Sequence, residues 1–215
     1  MIMRACIKVC IPVYDIRTYD ESLARACLAT IKSKEQAWDM DIAIQQGTII
    51  EECRNALIIA DKSAQAIHQV LDKRYSHWLF IDHDVGFTAS DIDKLLAHDK
   101  DVISGAYRPK QNPDNFVGGM ADEFGRVTEY VTSSATGLMS VDWVGGGFLL
   151  VKREALERSC FPWFWKTVHY VANRAICVGE DVYACLNFKK ALLDVWLDCD
   201  VVLNHEVNRY AITAV

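Results

Sequence analysis

Residues 77–87 read HWLFIDHDVGF, and this stretch decides the fold. Trp78 to Ile81 is a short unbroken apolar run, the pattern of a strand covered on both faces. The run stops at Asp82, so the strand leaves its sheet at two carboxylates, Asp82 and Asp84, with His83 between them. Carboxylates projected from a rigid strand end have their spacing set in advance. Together they can hold a divalent cation, because Mg²⁺ and Mn²⁺ favour oxygen ligands. Aspartate is also an ordinary turn residue, so the triplet alone reads as an acidic turn just as well.

Working outward, Ala5 to Val13 forms a second apolar strand that ends at Pro12, Val13, Tyr14 and Asp15. From about Asp20, Leu23, Cys27 and Ile31 recur at helical spacing, and Met40 to Gln45 alternates as a strand. Leu57, Ala60, Ala64, Ile67 and Leu71 share one helical face, which predicts a helix from about Glu51 to Lys73. Downstream, Thr88-Ala-Ser-Asp91 predicts a capped helix carrying Ile92, Leu95 and Leu96, followed by a strand over Asp101 to Tyr107.

Beyond Tyr107 the pattern breaks into short segments, Phe116 to Met120 and Val127 to Val131, which predict antiparallel pieces. Trp143 to Val151 carries three glycines ahead of an apolar run. A short helix over Arg153 to Arg158, an aromatic loop at Pro162 to Trp165, a helix from Glu180 and a strand over Val195 to Leu203 complete the body. Alternating strands and helices imply an α/β fold: a mixed, mostly parallel sheet flanked by helices, with a small antiparallel portion. No linker or repeat divides residues 1–215, so a single domain is expected. Ligands of such sheets gather beyond the carboxyl ends of the strands. Asp15, Asp82, Asp84 and His205 all fall there.

The net charge of −6 argues against a nucleic-acid partner held by broad phosphate contact. No apolar stretch is long enough to span a membrane, and MIMRACIKVCIPVYD does not resemble a secretory signal, so a cytoplasmic protein is expected. The eight cysteines lie scattered, mostly in apolar segments, without metal-like spacing. They read as buried thiols of a reducing compartment.

The ordered segments IPVYD, CRNALIIA, HWLFIDHDVGF, VGGGFLLVKREAL, VGEDVYACL and VVLNHE together resemble the nucleotide-sugar-dependent glycosyltransferases of the GT-A fold. The nearest likeness is to the compact family-2-like members of phages, large viruses and bacteria, and it covers nearly the whole chain. It implies a Rossmann-like GT-A sheet, a nucleoside-diphosphate-sugar donor, a glycan or other hydroxyl acceptor, and Mn²⁺ or Mg²⁺. UDP is the nucleotide that it favours, and inversion the stereochemistry. The compartment would be bacterial or host cytoplasm.

Carried over by position, the resemblance assigns Asp84 to the metal and Asp82 to the ribose, or to the metal through water. His83 is the variable middle residue of the motif. Pro12, Val13, Tyr14 and Asp15 surround the nucleobase. Arg54 lies near the nucleotide, where a guanidinium suits pyrophosphate. Gly146 and Gly147 approach the donor sugar, and Trp143 offers a ring to the acceptor. Asp181 is the catalytic base with Glu180 as its acceptor-binding neighbour, and a carboxylate there is favoured by the helix dipole. His205 completes the metal site, tilting preference toward Mn²⁺, with Glu206 as a substitute ligand. Arg108 and Lys110 could reach phosphate or acceptor from their loop.

Two other classes remain open. Haloacid-dehalogenase-type phosphatases also end a strand in Asp-x-Asp, but they place Thr or Val where this chain has Gly86. A non-catalytic sugar-nucleotide-binding domain would bind donor without turnover. A sugar-phosphate nucleotidyltransferase would need a glycine-rich, basic first turn, which IPVYDIRTY lacks.

Overall fold

Apolar strands that bury both faces require a covering layer on each side, and the computed structural model supplies two. It describes residues 4–17, 22–32, 34, 36–59 and 71–205. The first elements are β1 (Cys6–Val13), α1 (Leu23–Lys32), β2 (Asp39–Gln46), α2 (Ile50–Ile58), β3 (His77–Ile81) and β4 (Val85–Gly86). Next come α3 (Ala89–Ala97), β5 (Val102–Ala106), β6 (Asn115–Ala121), β7 (Val127–Thr132), β8 (Leu138–Val141), β9 (Trp143–Val144) and β10 (Phe148–Lys152). The last are α4 (Arg153–Arg158), β11 (Thr167–Val171), β12 (Arg174–Val178), α5 (Glu180–Lys190), β13 (Val195–Val202) and β14 (Asn204–His205).

The main sheet has the order β2-β1-β3-β10-β5-β13-β8. Alternation along each strand divides the core into two layers. Trp78, Phe80, Leu149 and Val151 pack on one face with Leu57 and Ile58 of α2, Leu156 of α4 and Phe188 of α5. Leu79, Ile81, Phe148 and Leu150 pack on the other with Leu28 and Ile31 of α1 and Ile92 and Leu95 of α3. The N-terminus of α3 is closed by the expected capping box, with the Thr88 amide donating to Asp91 at 2.8 Å. No helix of the described residues is long and apolar enough to cross a membrane.

The sheet is mixed, as expected, but only partly parallel. β1 runs parallel to β2 and β3, and β13 to β5, whereas β10 is antiparallel to both β3 and β5 and β8 is antiparallel to β13. β10 reads as a buried apolar strand whichever way it runs, and its direction shows only in its pairing with β3 and β5. The helix expected over Glu51 to Lys73 ends at Ile58, because Ile59 turns extended and bridges Leu71. Ala60, Ala64 and Ile67 lie outside the described residues. The hairpin β11–β12 was not foreseen. It lies between the aromatic loop expected at Pro162 to Trp165 and the helix at Glu180, a stretch for which no strand was expected. Cysteine burial is also mixed: Cys10, Cys53, Cys185 and Cys199 are buried, while Cys160 and Cys177 are exposed.

Candidate functional site

The carboxyl ends of β1, β3 and β5 open on one edge of the sheet, and a cleft of about 300 Å³ lies there, at the small end of ligand-site volumes. Pro12, Val13 and Tyr14 form one wall and Asp82, His83 and Asp84 another, with His205 at the rim. Gly47, Thr48, Ile50 and Cys53, from the turn into α2, close the remaining side. A β-carbon on Gly47 would stand 2.6 Å from the Cys53 sulfur, so a larger residue there would require the Cys53 side chain to move. Tyr14 is 73% exposed at the lip, a ring free to stack on a planar ligand. Asp15 is not a lining residue; its carboxylate turns away to pair with Arg17 at 2.8 Å.

The Asp82–Val85 turn is fixed from both ends. The Val85 amide donates to the Asp82 carbonyl at 3.1 Å, and the Asp82 amide donates to Gly147 O at 3.0 Å. Beneath it lies Arg54, only 2% exposed. One terminal nitrogen of its guanidinium donates to Asp82 Oδ1 at 2.8 Å and the other to Gly146 O at 2.8 Å. Its Nε stands 3.9 Å from Glu180 and has no hydrogen-bond partner among the described residues. The rings of Phe80 and Phe164 flank the guanidinium.

This placement revises the role expected of Arg54. The guanidinium is consumed inside the protein, so it positions Asp82 rather than reaching a pyrophosphate from the cleft. The glycines belong to the same clamp. A β-carbon on Gly146 would meet the Arg54 guanidinium at 2.7 Å, and one on Gly147 would meet the Tyr107 hydroxyl at the same distance. Their smallness seats Arg54 and Tyr107, and they line no part of the cleft.

Asp84 has a different environment. Its Oδ2 receives Lys110 Nζ at 2.5 Å and faces His205 Nε2 at 3.5 Å. Burial works against the ionised carboxylate, yet hydrogen bonds from His205 and Lys110 outweigh it, and the carboxyl stays far below its usual range. The same contact raises the pKa of His205. His205 reaches this point because β14 pairs antiparallel with β4, setting His205 opposite Val85. Its Nδ1 lies 2.8 Å from the Arg108 carbonyl, and its ring meets Tyr107 edge-on at 5.3 Å. Protonated, the ring presents Nδ1–H to that carbonyl and Nε2–H to Asp84; loss of the Nε2 proton would leave a lone pair for a cation, with the Nδ1–H anchor still orienting the ring as in metal-binding histidines.

The donor chemistry at this spot fits a hard-to-borderline divalent cation: one carboxylate and one imidazole facing each other. Asp82 contributes less directly, because Arg54 holds one of its oxygens. Among the described residues no group of three or more His, Cys, Asp or Glu side chains is gathered as a complete ligand set. The remaining ligands would therefore be water and substrate phosphate, as is usual for Mg²⁺-type sites. Glu206 lies outside the described residues.

Glu180 and Asp181 begin α5 on the far side of Arg54 and are not lining residues of the cleft. Asp181 accepts from its neighbour's amide, Val182, at 2.8 Å. Burial, reinforced by the charge of Glu180, pushes its carboxyl up to about 6. A carboxylate so displaced is ionised at neutral pH yet basic enough to take a proton.

Trp143 does not offer its ring to a ligand. It is 4% exposed, packed edge-on to Tyr130 in the core. A Trp at the start of a buried strand gives no sequence signal to tell core from platform. Sequence reading also missed Tyr107, whose buried hydroxyl accepts the Gly147 amide at 2.9 Å and whose ring carries His205. The rule that placed Asp15 and Asp82 at strand ends would have found it, since it follows β5 directly.

Among solved structures, the chain is similar to A197 from STIV, aligned over 99% of this chain and 99% of that one with a TM-score of 0.53 and 18% identity. At that identity the likeness concerns the fold alone. No protein-family model matches the sequence, and no curated protein matches it.

Proposed function

We propose that this chain is a divalent-cation-dependent glycosyltransferase of the GT-A type, taking a nucleoside-diphosphate-sugar, with UDP preferred, and a hydroxyl acceptor such as a glycan. One observation carries the reading. Asp84 and His205, from distant parts of the chain, meet in a cleft that Pro12 to Tyr14 also line. That arrangement suits a ligand with a planar base at one end and a diphosphate at the other.

In this reading Tyr14 and Pro12 hold the base, while Asp82, clamped by Arg54, faces the ribose. A cation held by Asp84 and His205, with Mn²⁺ preferred over Mg²⁺, offsets the charge of the departing diphosphate. Asp181 takes the proton of the acceptor hydroxyl, and Glu180 lies beside it to orient the acceptor. The acceptor oxygen forms its bond to the anomeric carbon as the carbon–diphosphate bond breaks, and the nucleoside diphosphate leaves with that electron pair. Attack from the opposite face inverts configuration. The reading includes a cytoplasmic location, the reducing compartment expected of the scattered thiols.

The test is thermal unfolding with nucleoside diphosphates and nucleotide-sugars, each with and without Mn²⁺. Ligand at about 100 times its Kd stabilises by about 2.7 kcal/mol, and stabilisation by UDP or a UDP-sugar that needs Mn²⁺ is expected. Indifference to every nucleotide would overturn the reading. Phosphate release from simple phosphomonoesters would point to the phosphatase class instead, and donor binding without transfer or hydrolysis to a binding domain.

The acidity of Asp181 adds a second expectation. As the base it must be ionised, so kcat/KM falls as pH drops through about 6, the value to which burial raises it. Asp181→Asn should remove that limb and lower kcat by about 10²–10⁴. The linked stability has the opposite sign. A folded-state pKa above the unfolded value makes the ionised carboxylate unfavourable above about 6 and relieves that cost as pH falls toward the ordinary aspartate value of 3.8. Asp181→Asn should therefore match or exceed the native melting temperature at pH 8. Full activity in this variant would remove Asp181 from the mechanism.

A further inference from the structure

Asp84 Oδ2 is the oxygen that a bound cation would take, and an ammonium already stands on it. Lys110 Nζ lies 2.5 Å from that oxygen, and His205 Nε2 faces the same atom at 3.5 Å. A divalent ion bonded to Oδ2 and Nε2 and an ammonium hydrogen-bonded to Oδ2 repel each other, so each weakens the other's hold on that oxygen. We propose that Lys110 exchanges partners: it is the counter-charge of Asp84 when no cation is bound, yields that oxygen to a cation, and pairs with the donor's diphosphate once both are bound. The inference rests on the glycosyltransferase reading for the identity of that diphosphate.

The loop is built for such an exchange. Tyr107 is buried, and the Arg108 carbonyl holds His205 Nδ1 at 2.8 Å, so the backbone that orients the imidazole stays put. Lys110 lies two residues further on, and its side chain is 39% exposed. Only its flexible four-carbon stem has to rotate. The other carboxylate of the turn, Asp82, is engaged by the Arg54 guanidinium and offers the displaced ammonium no free counter-charge on Oδ1. A diphosphate bound through the same cation would supply the charge that Lys110 has lost. Lysine binds phosphate as a mobile point charge, which is what changing partners requires.

Lys110→Met keeps the apolar stem and removes the charge; Lys110→Arg keeps the charge. Mn²⁺ binding to the protein alone, read by the loss of the free-ion electron paramagnetic resonance signal, should tighten at least 5-fold in Lys110→Met and stay near native in Lys110→Arg. UDP affinity at saturating Mn²⁺, read by calorimetry, should move the other way and weaken at least 5-fold in Lys110→Met. Unchanged or weaker Mn²⁺ binding in Lys110→Met overturns the competition, whether or not the native chain binds the ion. Tighter Mn²⁺ binding with unchanged UDP affinity overturns the transfer to phosphate. Because the ion is titrated without nucleotide, tighter Mn²⁺ binding in a chain that binds no nucleotide would sink the glycosyltransferase reading and keep the competition between Lys110 and the cation.

Discussion

On the proposed glycosyltransferase reading, replacing Asp84 with alanine should lower Mn²⁺-dependent sugar transfer by roughly 10³-fold while leaving the protein folded. Asp84 is the one carboxylate of the motif whose oxygen is not held by a buried partner. It faces His205, which lines the cleft with it, and the partly exposed Lys110. Charge stabilisation of a departing diphosphate acts only where charge develops, so its loss is read in kcat as well as in kcat/KM. The structural cost is small, because partly exposed ion pairs contribute about 0–1 kcal/mol each. A control independent of activity is the titration of His205. Its pKa is raised chiefly by the Asp84 contact, so in Asp84→Ala it should fall. The native pair contributes stability at pH values below the unfolded histidine pKa, while Asp84 stays ionised, and loses it as pH rises through the folded value. Transfer activity retained in Asp84→Ala, measured as UDP release with Mn²⁺, would remove this residue from the site.

The largest stability effect belongs to Arg54. Arg54→Met should destabilise the fold by about 3–5 kcal/mol, the usual result of removing one partner of a buried charged pair. For a chain of this size that lowers the melting temperature by roughly 10 °C. The guanidinium is 2% exposed and ties α2 to the end of β3 through Asp82 and to the glycine turn through Gly146 O. Methionine fills much of the volume but leaves that carbonyl and Asp82 Oδ1 without their donors. Arg54→Lys keeps the charge without the planar fork, and should fall between the two. Donor binding should weaken as well, because the Asp82 turn loses its anchor. A melting temperature within a degree of native in Arg54→Met would show that the clamp contributes little.

Much of this architecture was legible in the residues. β1, β3, β5, β10, α4 and α5 fall where apolar runs and helical spacing predicted them, because buried strands and amphipathic helices are written in local periodicity. The capping box at Thr88 and Asp91 was equally legible, since all its atoms lie within one turn. Local pattern misjudged α2, whose helical spacing runs on past Ile58 although Ile59 leaves the helix to bridge Leu71. A tertiary strand contact there outweighs propensity. Periodicity is also silent about Trp143, which satisfies an apolar pattern in the core as readily as at a binding surface.

Sequence therefore established the α/β class, the strand-end position of Asp82 and Asp84, and the cluster of strand ends to which a ligand would come. Tertiary structure alone decided which charges meet. The pairing of β14 with β4 brings His205 to Asp84, the burial of α2 turns Arg54 inward to Asp82, and the loop after β5 lays Lys110 on the remaining oxygen. Periodicity reports which face of an element is apolar, a property of neighbours along the chain. The partner of a charge depends on distances between distant segments, and those exist only once the sheet has formed.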